Sequence, residues 1–132
     1  MKTVKAMLCF VCVTATLALS QDATPKRVNP AEAKDHVGET ALVCGKVVDT
    51  KIFKYGIAGH GKPVAFDLDQ PEPTPVFYFI AFGAQPGGPQ EAIDAYKGKR
   101  VCVNGKIDQA PSGGAPFIMS KDRTNIKVEA DK

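Results

Sequence analysis

Glycine and proline punctuate this chain so densely that it has no room for long helices. Twelve glycines and ten prolines are spread over 132 residues, and the apolar runs between them are mostly of strand length. Chains of this kind fold as short strands joined by many turns. The clearest strand is Val64–Asp69, where Val64, Phe66 and Leu68 point one way and Ala65, Asp67 and Asp69 the other. The clearest break is Gln70–Pro75, whose three prolines remove donors from any ladder.

The longest apolar run sits at the N-terminus, from Ala6 to Leu19, behind Lys2 and Lys5 and ahead of Ala18-Leu19-Ser20. A positive start, an apolar stretch and small residues at the cleavage positions predict a signal peptide over residues 1–20. The run of roughly 14 residues is short of the ~20 needed to span a bilayer. Cys9 and Cys12 lie inside it and read as apolar filler. The expected product is secreted or periplasmic, with no membrane association after cleavage. Its net charge is small: 17 basic residues oppose 14 acidic ones in the full chain, and 15 oppose 14 without Lys2 and Lys5. General attraction to nucleic acid is therefore weak, and any electropositive surface must be local.

Residues 21–28 read as a flexible leader and 29–130 as one domain. Asn29-Pro30-Ala31-Glu32 predicts a short helix start that Gly38 ends. Strands are expected over 41–50, 64–69, 76–82 and 99–108, with a helix over 90–97. Residues 117–119 and 126–128 supply the material of a last strand, broken at 122–125. An all-β chain with two short helices follows. Five strands with a helix between the third and fourth is the order of a five-stranded OB-fold barrel. There is also an internal echo. Gly38-x(4)-Val43-Cys44-Gly45-Lys46-Val47 matches Gly98-x(4)-Val103-Asn104-Gly105-Lys106-Ile107, and each copy opens a strand.

Four segments carry a resemblance: Gly38–Val47, Gly61–Pro71, Pro75–Phe77 and Tyr96–Ile107. Together they resemble small secreted bacterial OB-fold proteins related to the tRNA-anticodon-type nucleic-acid-binding domain, over about residues 30–128. That resemblance implies an OB barrel and a nucleic-acid ligand. The chain departs from it at Phe82, where relatives often carry Trp, and in an uncharged Gly/Pro stretch where relatives carry a basic turn.

Chemistry-bearing residues fall into three groups. Cys44 and Cys102 lie on the outer faces of the first and fourth expected strands. They are expected to form a disulfide if they meet at a non-hydrogen-bonded pair, and two slightly offset thiols are the alternative. The loop after the first strand holds Lys51, Phe53, Lys54, Tyr55, His60 and Lys62 and no acid. With Tyr78 it predicts a surface where bases stack on rings while lysines meet phosphates. The alternative is a solvated basic loop whose rings cap the barrel end. Asp67 and Asp69 could pair at a metal but read more simply as a solvated strand face. Neither they nor Arg100 and Arg123 are spaced as a metal-dependent nuclease requires. His36 and His60 lack ligand partners at zinc spacing. No catalytic residue, metal or cofactor is expected. The expectation is a monomeric binding module for single-stranded nucleic acid or another extended anionic polymer, with a protein- or small-ligand-binding module as the alternative.

Overall fold

The computed structural model describes residues 24–56, 61–82 and 88–130. The expected signal peptide and His60 lie outside the described residues. In chain order the elements are β1 (Arg27–Val28), a 3₁₀ helix (Pro30–Asp35), β2 (Thr40–Ile52), β3 (Pro63–Leu68), β4 (Tyr78–Phe82), α1 (Gly88–Tyr96), β5 (Arg100–Lys106), β6 (Phe117–Ser120), a 3₁₀ helix (Arg123–Asn125) and β7 (Ile126–Val128). The strands form one sheet in the order β6-β4-β3-β2-β5-β7, with β1 beside β2.

Among the described residues there are seven strands where five were expected. One extra strand comes from the expected leader: the Lys26 carbonyl accepts the Leu42 N–H at 2.8 Å, and Val28 enters the core. This seats Arg27 and Val28 in parallel beside β2. The other comes from the break at Asp122, whose side chain accepts the Thr124 N–H and caps a 3₁₀ turn. The two halves of the expected last strand then take different partners. β6 pairs in parallel with β4 and β7 antiparallel with β5.

β2 curls the sheet into a half-barrel. Its first half pairs with β5 and its second with β3, and the register shifts between Val47 and Asp49. An extra residue there bends the strand and increases its twist, so one 13-residue strand serves both halves. At the far edge the Asp108 and Phe117 backbones exchange hydrogen bonds of 2.8 Å, joining the end of β5 to β6. Gly105 makes that approach possible, because a Cβ there would lie 2.7 Å from Ile118 Cγ2.

The internal echo has a geometric meaning. Gly38 and Gly98 both take left-handed backbone (φ 91° and 75°), which glycine adopts without steric cost. The Gly38 N–H donates to the Ile107 carbonyl at 2.7 Å, and the Gly98 N–H to the Val47 carbonyl at 3.1 Å. Each glycine thus closes the end of the other copy's strand. The β2–β5 pair has a local two-fold relation through the Val43–Val103 pair.

That register also places Cys44 opposite Cys102. Val47 N–H donates to Lys99 O, and Ile107 N–H to Glu39 O, both at 2.9 Å. Alternation along the ladder makes the cysteine pair a non-hydrogen-bonded one, where side chains stand closest. The sulfurs are at disulfide distance, 2.07 Å. The pair lies outside the core cluster yet is buried. Glu129 approaches it, with Oε1 3.0 Å from Cys102 Sγ, and is itself held by Arg27 at 2.8 Å and Arg100 at 3.5 Å.

Inside the curl, Phe66 and Phe79 stack at 4.8 Å. Tyr96 of α1 meets both edge-on, at 5.5 and 6.0 Å. Its hydroxyl accepts from Arg123 Nε at 3.0 Å, and Arg123 also pairs with Glu91 at the start of α1. Glu91 is the main reason the Arg123 guanidinium holds its proton more tightly than usual. The helix is thereby fixed over the core by its apolar stripe, Ala92, Ile93 and Tyr96.

Candidate functional site

The outer face of β2, β3, β4 and β6 is a grid whose rows are set by register. One row runs Asp49, Asp67, Tyr78, Phe117 and the next Lys51, Ala65, Ile80, Met119. A third begins with Phe53, whose N–H donates to the Pro63 carbonyl at 3.0 Å, and continues through Pro63 to Phe82. Period-2 alternation puts these side chains outside because their neighbours Val64, Phe66, Phe79, Ala81 and Ile118 fill the core.

Three depressions follow one another across this grid. Phe53, Lys54, Tyr55, Pro63, Ile80 and Met119 line an apolar groove of about 360 Å³. Phe53 also lines a recess of about 170 Å³ with Lys51, Ala65, Asp67, Glu72 and Tyr78. Glu72 and Tyr78 in turn line a cleft of about 760 Å³. Its other walls include Pro73 and Pro75, the segment 113–116 and Lys34. Shared residues make the three one continuous track.

Of the residues expected to bind, Lys51, Phe53, Lys54, Tyr55 and Tyr78 meet on this track. Tyr55 is 76% exposed, and Lys54 Nζ sits 5.4 Å from its ring centre. Tyr78 stacks on Phe117 at 5.2 Å. Lys62 is exposed just ahead of β3 and lines none of the three depressions. Sequence reasoning missed Phe117 and Met119, because only the parallel β4–β6 pairing brings them here. It also missed Glu72, which the cis Glu72–Pro73 loop carries to the recess.

Asp67 corrects an expectation. It is not on a solvated face: it is 5% exposed at the wall of the recess. Asp69 does not share its face either, because β3 ends at Leu68 and Asp69 turns into left-handed backbone (φ 65°). There its carboxylate accepts the Lys46 N–H at 2.9 Å. Burial, then Glu72 and Asp49, raises the Asp67 pKa from 3.8 to about 6, against the weaker pull of the Glu72 backbone N–H and Lys51. Burial, then Asp67 and Glu72, also pushes the Tyr78 hydroxyl up.

Folded Asp67 therefore binds its proton more tightly than unfolded Asp67. Its contribution to stability is present below the unfolded pKa and is lost as pH rises through about 6. Asp67→Asn is expected to stabilise the fold above that pH by on the order of 1 kcal/mol, solvent screening included. The gain should vanish near pH 3.8. Thermal melts of both proteins across pH check this.

The residues named for a nuclease are engaged elsewhere: Arg100 with Glu129, and Arg123 with Glu91 and Tyr96. Among the described residues, the donor atoms of Cys44, Cys102 and Glu129 converge within 4.8 Å. With the sulfurs at bonding distance, only the carboxylate is left as a ligand. No helix among the described residues is long and apolar enough to cross a membrane.

No protein-family model matches the chain, and no curated protein does. Several solved structures are similar, among them two crystal structures. One is described as an aspartyl-tRNA synthetase from Leishmania major (TM-score 0.49, 16% identity, covering 83% of this chain). The chain spans 22% of that protein's length. The other is described as a nucleic-acid-binding lipoprotein from Klebsiella pneumoniae (TM-score 0.43, 22% identity, covering 76% of this chain and 79% of that one). At these values neither assigns a family or a function. Fold and site together define a small, mostly β half-barrel with a grooved aromatic outer face and a cross-strand cysteine pair.

Proposed function

We propose that this is an exported OB-type binding module, without catalysis, that holds a single strand of nucleic acid along its outer track. The OB reading draws on connectivity. β2, β3 and β4 form a meander, α1 lies between β4 and β5, β5 returns to β2, and β6 runs parallel to β4 and bridges to the end of β5. The observation that carries the ligand reading is the continuous track itself. Rings recur along it at Tyr55, Phe53 and Tyr78, the last backed by Phe117, with Lys51 and Lys54 beside them, as base stacking with phosphate contact requires. Export draws on the N-terminal run and on the cysteine pair, since disulfides persist in oxidising compartments.

Lys51→Ala with Lys54→Ala is expected to weaken binding of single-stranded oligonucleotides about tenfold at low salt. It should also reduce the salt slope by about 1.4, the loss of two phosphate contacts. Fluorescence anisotropy at two salt concentrations measures both. Undiminished affinity with an unchanged slope would remove the lysines from the interface. The acids Asp49, Asp67 and Glu72 on the same face favour a second reading, a protein segment docked in the apolar groove. That complex would respond little to salt.

A further inference from the structure

The recess between Phe53 and Tyr78 carries a buried carboxyl in its wall. On the scale of a cavity of about 150 Å³ that holds one benzene, its 170 Å³ has room for a single ring. Rings stand at its sides, and the buried Asp67 carboxyl lines it. Among the described residues that carboxyl makes no side-chain hydrogen bond or ion pair; its protein donor is the Glu72 backbone N–H.

We propose, resting on the strand-binding reading above, that this recess seats one cytosine of the bound strand, with N3 and the N4 amino group facing Asp67 and one proton held between N3 and the carboxyl. Cytosine differs from thymine in a way the recess can read. Its N3 accepts a proton, and the protonated edge then presents two donors to a carboxylate as charge-assisted bonds. Thymine N3 already carries a hydrogen and gains no charge. Every charged or titratable group around Asp67 bears on this choice. Asp49 and Lys51 come from β2, Glu72 from the β3–β4 loop and Tyr78 from β4. Two carboxylates against one ammonium leave the recess net negative, which favours the protonated base. The same surroundings already let Asp67 hold a proton up to about pH 6. Above that pH, binding cytosine draws one proton from water.

The test uses a labelled oligothymidylate and the same oligomer with one central cytosine or one central guanine. Binding to the protein is measured by anisotropy at fixed low salt. At about pH 5 the cytosine oligomer is expected to bind about tenfold tighter than the thymidylate, and the preference should shrink toward about pH 8. Asp67→Asn offers one donor and one acceptor, which fit cytosine and thymine alike. It is expected to bring the two oligomers within about twofold at both pH values. Glu72→Gln should move the midpoint of the preference to lower pH. Equal binding of all three oligomers by the unaltered protein overturns the cytosine assignment and leaves the strand-binding reading standing. So does a guanine preference that grows with pH, the signature of a bare carboxylate. Binding of none of them overturns both.

Discussion

Phe66→Ala is expected to cost about 3–5 kcal/mol of folding stability, as buried aromatic truncations do. Phe66 is fully buried at the centre of β3. It stacks on Phe79 and receives the edge of Tyr96, so its loss opens a cavity bordered by neighbours from β4 and α1. Those neighbours are fixed by strand pairing on one side and by the Arg123–Tyr96–Glu91 contacts on the other, which limits collapse into the space. Against a total of about 5–15 kcal/mol for a domain of this kind, the variant stands close to unfolding at room temperature. Urea denaturation gives the number. Phe53→Ala is the control, since its ring lies on the outer track. A Phe66→Ala loss below about 1 kcal/mol would mean that the ring is not in the core.

Loss of the Cys44–Cys102 link is expected to cost about 4 kcal/mol, the loop-closure value for residues 58 apart in sequence. Most of that acts on the unfolded chain. The Cys44→Ala, Cys102→Ala protein should therefore keep its fold and lose denaturation midpoint, and reductant should lower the midpoint of the natural chain alone. Glu129 gives the folded state a secondary stake. It is gripped by Arg27 and Arg100 next to the sulfurs, so β1 and β7 converge on the same spot. Intact mass with and without reductant must differ by two hydrogen atoms, one added to each sulfur on reduction. An unchanged mass, or a double variant as stable as the natural chain, would show that the two sulfurs are not bonded.

What could be read from the sequence was local. Alternation in Val64–Leu68 and in Val101–Ile107 set the inward faces, and the same alternation put Cys44 and Cys102 outside on neighbouring strands, where register brings them together. Lys51, Phe53 and Tyr78 were recognisable as ring and charge on a glycine-flanked loop and a strand. What could not be read depends on long-range pairing. A two-residue strand such as Arg27–Val28 has no period to detect; it exists because Leu42 has a free edge to offer. Phe117 and Met119 become part of the site through a parallel pairing that their own sequence does not announce. Asp67 has the pattern of a solvated strand residue, yet it is buried at a recess that it shares with Phe53, Glu72 and Tyr78, all delivered by other segments. Asn29 has the composition of a side-chain cap, yet it makes no such bond and a 3₁₀ turn follows.

The register shift at Val48 divides the labour of β2. On one side lie the two-fold pairing with β5 and the sulfur link; on the other, Asp49, Lys51 and Phe53 face outward. Changes beyond the shift leave the anchored half untouched. Selection could therefore retune what this surface recognises, lengthening its loop or exchanging its rings, without renegotiating the foundation on which the chain stands.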